Sequence, residues 1–276
     1  MVGYGPIAKG VAMFSDRRHE AILARLTQAG EVAVGPLATE LGCAVETIRR
    51  DLAELEQRGQ IKRVHGGAVQ VPPAEQPPIA TRQVRDRKVK DAIAAAAAAL
   101  VPAGAHIWLG AGSTVLALAV RLFDLPARTT FATNMIDVAR LLARSRHQVF
   151  LAGGEINADS MAQNGAETLD FIEARYFDLA IVGAAALHAD LGLMGPTAHH
   201  RALHNLLNRR TEQQMVLAAS TKFGGSDRYQ LAEWRYIATV VTDRTPPQSF
   251  RASLKRSSTR IVLSDGRGRP QGGNVG

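Results

Sequence analysis

Two six-residue stretches hold the most reactive-looking surface of the first quarter of the chain. They are Thr47-Ile48-Arg49-Arg50-Asp51-Leu52 and Arg63-Val64-His65-Gly66-Gly67-Ala68. An arginine forks onto guanine O6 and N7 or onto a phosphate, so Thr47, Arg49, Arg50, Arg63 and His65 suit a nucleic-acid surface. A second set lies further on. Gly110-Ala111-Gly112-Ser113-Thr114 offers backbone N–H groups and two hydroxyls, which suit an anion such as phosphate when they open a helix. Thr133-Asn134, Gly153-Gly154 and Lys222 are the other small or cationic candidates of this part. No catalytic residue is expected: Cys43 reads as a small buried residue in a turn. His200 and His204 are spaced to present two nitrogens to one zinc, but with His199 they find no nearby Glu or Cys to complete a set. No metal or other cofactor is expected.

The elements that must position these residues follow from periodicity. Ile22, Leu23 and Leu26 give an apolar stripe over Asp16–Ala29, stopped by Gly30. Leu37, Ala38 and Leu41 mark a short helix ended by Gly42. Val45, Ile48, Leu52 and Leu55 mark a third, ended by Gly59. On that third helix Glu46, Arg50, Ala53 and Gln57 face away from the stripe, with Thr47 and Arg49 on its flanks. Ile61–Val64 and Ala68–Val71 read as two strands joined at His65-Gly66-Gly67. Residues 15–70 are therefore expected to be a winged helix-turn-helix, with the helix-turn-helix at about 34–53. Such a helix enters the major groove with its N-terminal half. A solvated charged face, or Arg49 paired with a nearby carboxylate, fits the same pattern.

Residues 71–81, with Pro72-Pro73 and Pro77-Pro78, read as a stiff linker. Arg82–Leu100 reads as one helix. Strands are then expected at His106–Leu109, Thr130–Thr133, Gln148–Leu151, Leu179–Val182, Met215–Ala218 and Thr239–Val241, with helices at Ser113–Phe123 and Met135–Ala143. That alternation predicts a mostly parallel α/β sheet over residues 82–263, with its ligand beyond the carboxyl ends of the strands. Glycine in such turns also has purely steric uses.

The net charge of +8 is a poor guide to the DNA-binding unit. Residues 15–70 hold eight Lys/Arg against eight Asp/Glu, and residues 244–276 hold seven against one. The excess sits mainly in the last residues, of which 264–276 form a Gly/Arg-rich tail. The first unit must therefore act by placing its cations on one face. One cysteine allows no intramolecular disulfide. Met1–Ser15 lacks a signal-peptide pattern, and no apolar run reaches the roughly 18 residues of a membrane span. A cytoplasmic protein without a membrane partner is expected.

Residues 17–69 strongly resemble the DeoR family of bacterial regulators, whose signature pairs T-I-R-R-D-L with R-V-H-G-G-A. The family usually has serine where Ala44 stands ahead of the recognition helix. From about Arg82 to Asp243 the chain resembles the family's sensor domain, which is related to ribose-5-phosphate isomerase and usually binds phosphorylated sugars. Lys90-Asp91-Ala92-Ile93-Ala94, Thr133-Asn134, Gly153-Gly154, Gly165 and Lys222-Phe223-Gly224 carry that likeness. "LAGGEI" and "GAETLDFI" look like the glycerol-3-phosphate regulon repressor branch. The pocket departs from the family pattern at Gly110, Ala219 and His204. The resemblance implies a regulator of a sugar or polyol operon. It would bind double-stranded operator DNA as a homodimer or higher homo-oligomer and respond to a small phosphorylated sugar or polyol. An isomerase-like enzyme with a DNA anchor, and a DNA-binding protein with an unresponsive second domain, are the alternatives.

Overall fold

The computed structural model describes residues 15–57, 61–70, 77–264 and 270–272. The chain divides into two compact units, residues 1–74 and 75–276.

The first unit runs α1 (Ser15–Ala29), β1 (Glu31–Ala33), α2 (Val34–Glu40), α3 (Val45–Gln57), β2 (Ile61–Val64) and β3 (Gly67–Gln70). Ile22 and Leu26 of α1, Leu37 of α2, Ile48, Leu52 and Leu55 of α3 and Ile61 of β2 are buried together. The hairpin carries a third strand: the order is β1-β3-β2, antiparallel throughout. A Cβ on Gly67 would stand 2.1 Å from the carbonyl oxygen of Val32, so only glycine lets β1 approach β3 there. The Val34 N–H donates to the Gly66 carbonyl at 2.9 Å, tying the hairpin turn to the start of α2.

Val45 departs from the expected stripe, being 42% exposed. It is the first residue of α3 and lies beyond the end of the core, which starts with Ile48. Ala44 precedes the helix and is exposed, its carbonyl accepting from Thr47 at 2.9 Å and Ile48 at 3.2 Å. A serine hydroxyl at that place typically contributes about 1 kcal/mol that alanine does not.

In the second unit α4 (Ile79–Val84) and α5 (Arg87–Ala98) precede β4 (His106–Leu109), α6 (Ser113–Leu122), β5 (Thr130–Thr133), α7 (Ile136–Leu142) and β6 (Gln148–Leu151). A hairpin of β7 (Glu155–Asn157) and β8 (Ala162–Asn164) leads to α8 (Ala166–Glu173) and β9 (Phe177–Gly183). Then come β10 (Ala186–His188), β11 (Gly192–Gly195), α9 (Ala198–Arg210), β12 (Thr211–Leu217), β13 (Tyr229–Ala232), β14 (Thr239–Thr242), α10 (Arg251–Ser257), β15 (Arg260–Ser264) and β16 (Pro270–Gly272). The main sheet has the order β16-β15-β14-β12-β9-β4-β5-β6, parallel except for β15 with β16. Alternation along each strand serves two cores. Ile107, Leu109, Phe131 and Ile181 pack with Ile93 of α5 and Leu118 of α6 on one face. Trp108, Ala132, Ala180 and Val182 pack with Ile172 of α8 and Leu207 of α9 on the other. Ala94, Ala96 and Ala97 are fully buried, the small residues of α5 meeting the core closely.

Three readings are corrected. Residues 82–100 are not one helix: α4 and α5 meet at Asp86, whose φ of +54° is left-handed. Helix begins at Ile79, inside the stretch read as linker, and the buried Ile79 donates its N–H to the Asp159 carbonyl at 2.6 Å. Part of the stretch read as tail, Pro270–Gly272, adds an antiparallel strand to β15. The expected linker residues 71–76 and the glycine stop at Gly59 lie outside the described residues.

Candidate functional site

In the first unit α3 is held from below by a buried carboxylate. Asp51 is 3% exposed. Its two oxygens take both arms of Arg18, Nε at 2.7 Å and one terminal nitrogen at 2.9 Å, and His19 Nε2 lies 3.0 Å from Oδ1. The fifth member of the T-I-R-R-D-L run, directly after its arginines, is thus a structural residue pinning α3 to α1. Sequence reasoning missed this role. The signal was an aspartate on the core side of an amphipathic helix.

The opposite side of α3 carries the charged residues. Arg49 and Arg50 are exposed and Thr47 is half-buried. Arg49 reaches Glu46 at 3.4 Å, one turn away, with both side chains more than half exposed, so the pair is worth little and yields easily. Arg50 has no ion pair among the described residues. The Arg63 backbone N–H donates to Glu56 at 2.8 Å, which fixes the hairpin to α3 and leaves the Arg63 guanidinium exposed. Arg49, Arg63 and His65 line one shallow depression with Val34, Gly66 and Gly67. The fold therefore gathers Arg49, Arg63 and His65. Thr47 and Arg50 are close by along α3 but outside that lining.

In the second unit the candidates sit at the carboxyl ends of β4, β5, β6 and β12. Gly112 precedes α6, so Ser113 and Thr114 form its first turn, both half-buried. Lys222 lies in a short 3-10 turn after β12. Asp243, which follows β14, fixes that turn by accepting the Ser220 N–H at 2.6 Å and its hydroxyl at 3.0 Å. The neighbouring Phe223 is buried, so the backbone of the turn is held on both sides. Burial, then the charges of Arg85 and Arg82, push the Lys222 ammonium below the ordinary lysine pKa.

Other candidates have structural work. Thr133 is fully buried and its hydroxyl accepts the Met135 N–H at 3.0 Å. Asn134 Nδ2 donates to the Gln163 carbonyl at 3.0 Å, and the Gln163 N–H returns to Asn134 at 2.7 Å, clipping the β7–β8 hairpin to the end of β5. Asn134 Oδ1 is buried without a hydrogen-bond partner. The Gly153 carbonyl accepts the Thr168 hydroxyl. A Cβ on Gly154, whose φ is +121°, would stand 2.1 Å from the Asn164 carbonyl oxygen. Close approach of the hairpin accounts for that glycine.

Groups not singled out from sequence surround Lys222. Arg82 lies on α4 and Arg85 directly follows it, and Lys90 on α5 lies within electrostatic reach of Lys222. The charged run 82–90 was the available signal. His200 is exposed but densely surrounded, as a group in a cleft is, and burial with the charges of His199 and Arg82 pushes its pKa down to about 4. His204 is 6% exposed, its Nδ1 has no partner, and burial pushes its pKa down to about 3. Among the described residues no group of three or more His, Cys, Asp or Glu stands together to hold a metal ion.

The His204 shift fixes a pH dependence. An unfolded histidine binds its proton below about pH 6.5. Folded His204 stays neutral down to about pH 3. The unfolded chain holds more protons between those values, so stability is present above them and is lost as pH falls through the window. From pH 7 to pH 5 this one group should remove about 2 kcal/mol. Denaturant unfolding at each pH should show a shallower slope for His204→Gln than for the parent; equal slopes would contradict the assignment.

Residues 18–73 match the DeoR-like helix-turn-helix domain, and residues 85–244 match the DeoR C terminal sensor domain. The chain is 32% identical over 232 residues to the HTH-type transcriptional regulator GolR of Listeria innocua, covering 84% of this chain and 91% of that one. It is 28% identical over 252 residues to the glycerol-3-phosphate regulon repressor of Escherichia coli, covering 91% of this chain and all of that one. A solved ribose 5-phosphate isomerase A from Neisseria gonorrhoeae overlays with a TM-score of 0.37 at 18% identity, over 49% of this chain and 52% of its own, too slight a likeness to say more. With both of its characteristic regions matched in order, and the sensor region alone spanning more than half of the residues, the chain belongs to the DeoR family of transcriptional regulators.

Proposed function

We propose that this DeoR-family regulator represses a sugar or polyol catabolic operon and that a small phosphorylated metabolite sets its affinity for double-stranded operator DNA. The observation that carries this reading is the pairing of two features in one chain. One is a recognition helix with its arginines turned outward. The other is a cluster of cations, Arg82, Arg85, Lys90 and Lys222, by the turn after the carboxyl end of β12 in a parallel sheet. Thr47, Arg49 and Arg50 read the major groove while Arg63 and His65 meet the backbone or minor groove. Gly112, Ser113, Thr114 and Lys222 take the anionic end of the effector, and Asn134 Oδ1 takes a hydroxyl of its body. Thr133, Gly153 and Gly154 shape the site around them. The similarity to the glycerol-3-phosphate regulon repressor of Escherichia coli supports the effector class.

The protein acts in the cytoplasm, where its operator lies, and as a homodimer or larger homo-oligomer, because one recognition helix covers only a few base pairs. No helix among the described residues is long and apolar enough to cross a membrane. We read the chain as a regulator and not an enzyme. Sugar-phosphate isomerisation needs a carboxylate base beside the substrate. Loops 110–114 and 219–222 hold none, both oxygens of Asp243 are taken by Ser220, and the carboxylates within reach of Lys222, Asp86 and Asp227, lie beside Arg85 and Arg228.

Two variants test the two halves. Arg50→Ala should weaken binding to the specific operator by about 1–3 kcal/mol and binding to random DNA by much less. Fluorescence anisotropy with both DNAs measures this. Equal losses would assign Arg50 to phosphate, and no loss would remove it from the interface. In a thermal-shift screen of sugar and polyol phosphates, a ligand at about 100 times its Kd should stabilise the parent by about 2.7 kcal/mol. Lys222→Met should reduce affinity for that ligand roughly ten- to hundredfold. An unchanged Kd would remove Lys222 from the site.

A further inference from the structure

Helix α4 is the first described element after residue 76, and residues 71–78 separate it in sequence from β3. It is six residues long, too short to be stable without its surroundings. Its foot is Ile79, buried in the core with its N–H on the Asp159 carbonyl. Its last turn is held by Lys90, whose ammonium donates to the carbonyls of Arg82 and Arg85. Arg82 Nε donates to the Pro77 carbonyl at 2.8 Å, so that side chain also ties the start of the helix.

The charge around this corner is lopsided. Arg82 of α4, Arg85 immediately after it and Lys90 of α5 all lie within electrostatic reach of Lys222 in the turn after β12. The carboxylates acting on Lys222 are Asp86 and Asp227, and Arg85 already reaches Asp86 at 3.8 Å. His200, beside Arg82, is neutral at pH 7 and adds no charge. Four cations against two carboxylates leave an excess close to that of one phosphate monoester dianion. Without an anion, α4 is pressed against a lysine by like charges. With one, the same charges share a counter-ion.

We infer that Arg82 and Arg85 complete the anion site with Lys222, so that the effector's phosphate is what holds α4 against the end of the sheet. The inference rests on the reading of Lys222 as the anion-binding residue and adds how occupancy of that site is passed on. The phosphate bridges a fixed turn and a marginal helix, and the helix it steadies is the one nearest in sequence to the DNA-binding unit.

Amide hydrogen exchange on the full-length protein tests this, with inorganic phosphate and then sn-glycerol 3-phosphate as probes and sodium chloride matching the ionic strength. Exchange of amides 80–85 should slow by about tenfold or more at saturating probe. Arg82→Gln and Arg85→Gln should each lose most of that protection. Arg85 is the safer variant, because its side chain is 76% exposed and the fold does not depend on it. Protection at 113–116 and 220–222 without any at 80–85 would overturn the inference and leave the anion site standing. Full protection in both variants would overturn it as well. No protection anywhere with either probe would remove the anion site and the inference together.

Discussion

The carboxylate of Asp51 fixes the direction of the helix on which DNA reading depends. It is buried, and a buried carboxylate is tolerated only when it is paired and hydrogen-bonded. Arg18 supplies a two-armed partner and His19 a third contact, both from α1. Removing one member of such a set costs about 3–5 kcal/mol, because the other is left charged without compensation. Two charge-assisted bonds in fixed geometry also specify angle more tightly than apolar packing does. With α3 pinned from the core side, Arg49 and Arg50 have only the outward side left. The Glu56 bond to the Arg63 backbone and the Gly66 bond to Val34 then fix the hairpin relative to α3 and α2.

A comparable constraint governs the second unit. In a parallel sheet every carboxyl end lies on the same edge, so β4, β5, β9 and β12 deliver their following turns side by side. Those turns are short and polar because apolar residues are spent on the two faces. Asp243 holds Ser220 at the start of the Lys222 turn, and Phe223 at its end is buried. The result is a half-buried lysine with Arg85 and Arg82 among its charged neighbours, facing the carboxylates of Asp86 and Asp227.

Much of this was legible in the residues. Strands His106–Leu109, Thr130–Thr133 and Gln148–Leu151 coincide with their expected limits, since apolar runs bounded by polar turns mark them clearly. β12 was seen only in its apolar half: Thr211–Gln214 is polar yet pairs with β9. The β7–β8 hairpin was missed because Glu155–Asn157 is exposed throughout and shows no alternation. The break at Asp86 was missed because neither Gly nor Pro marks it. The Lys90 ammonium on the carbonyls of α4 makes that corner, and such a contact is invisible in a linear pattern. At the site, Gly154 and Thr133 also carry a steric and a local hydrogen-bonding role that the linear pattern did not show, and the charge of the run 82–90 was passed over.

For the two units to work as one switch, the effector must bind the DNA-competent and DNA-incompetent states with different affinity. The direct measurement is the Kd of the full-length protein for its operator with and without a saturating phosphorylated polyol, using the unphosphorylated polyol as control. A typical coupling of 1–3 kcal/mol predicts a change of roughly 5- to 150-fold with the phosphorylated compound and none with the control. An operator Kd that stays the same while the ligand demonstrably occupies the second unit would contradict the account.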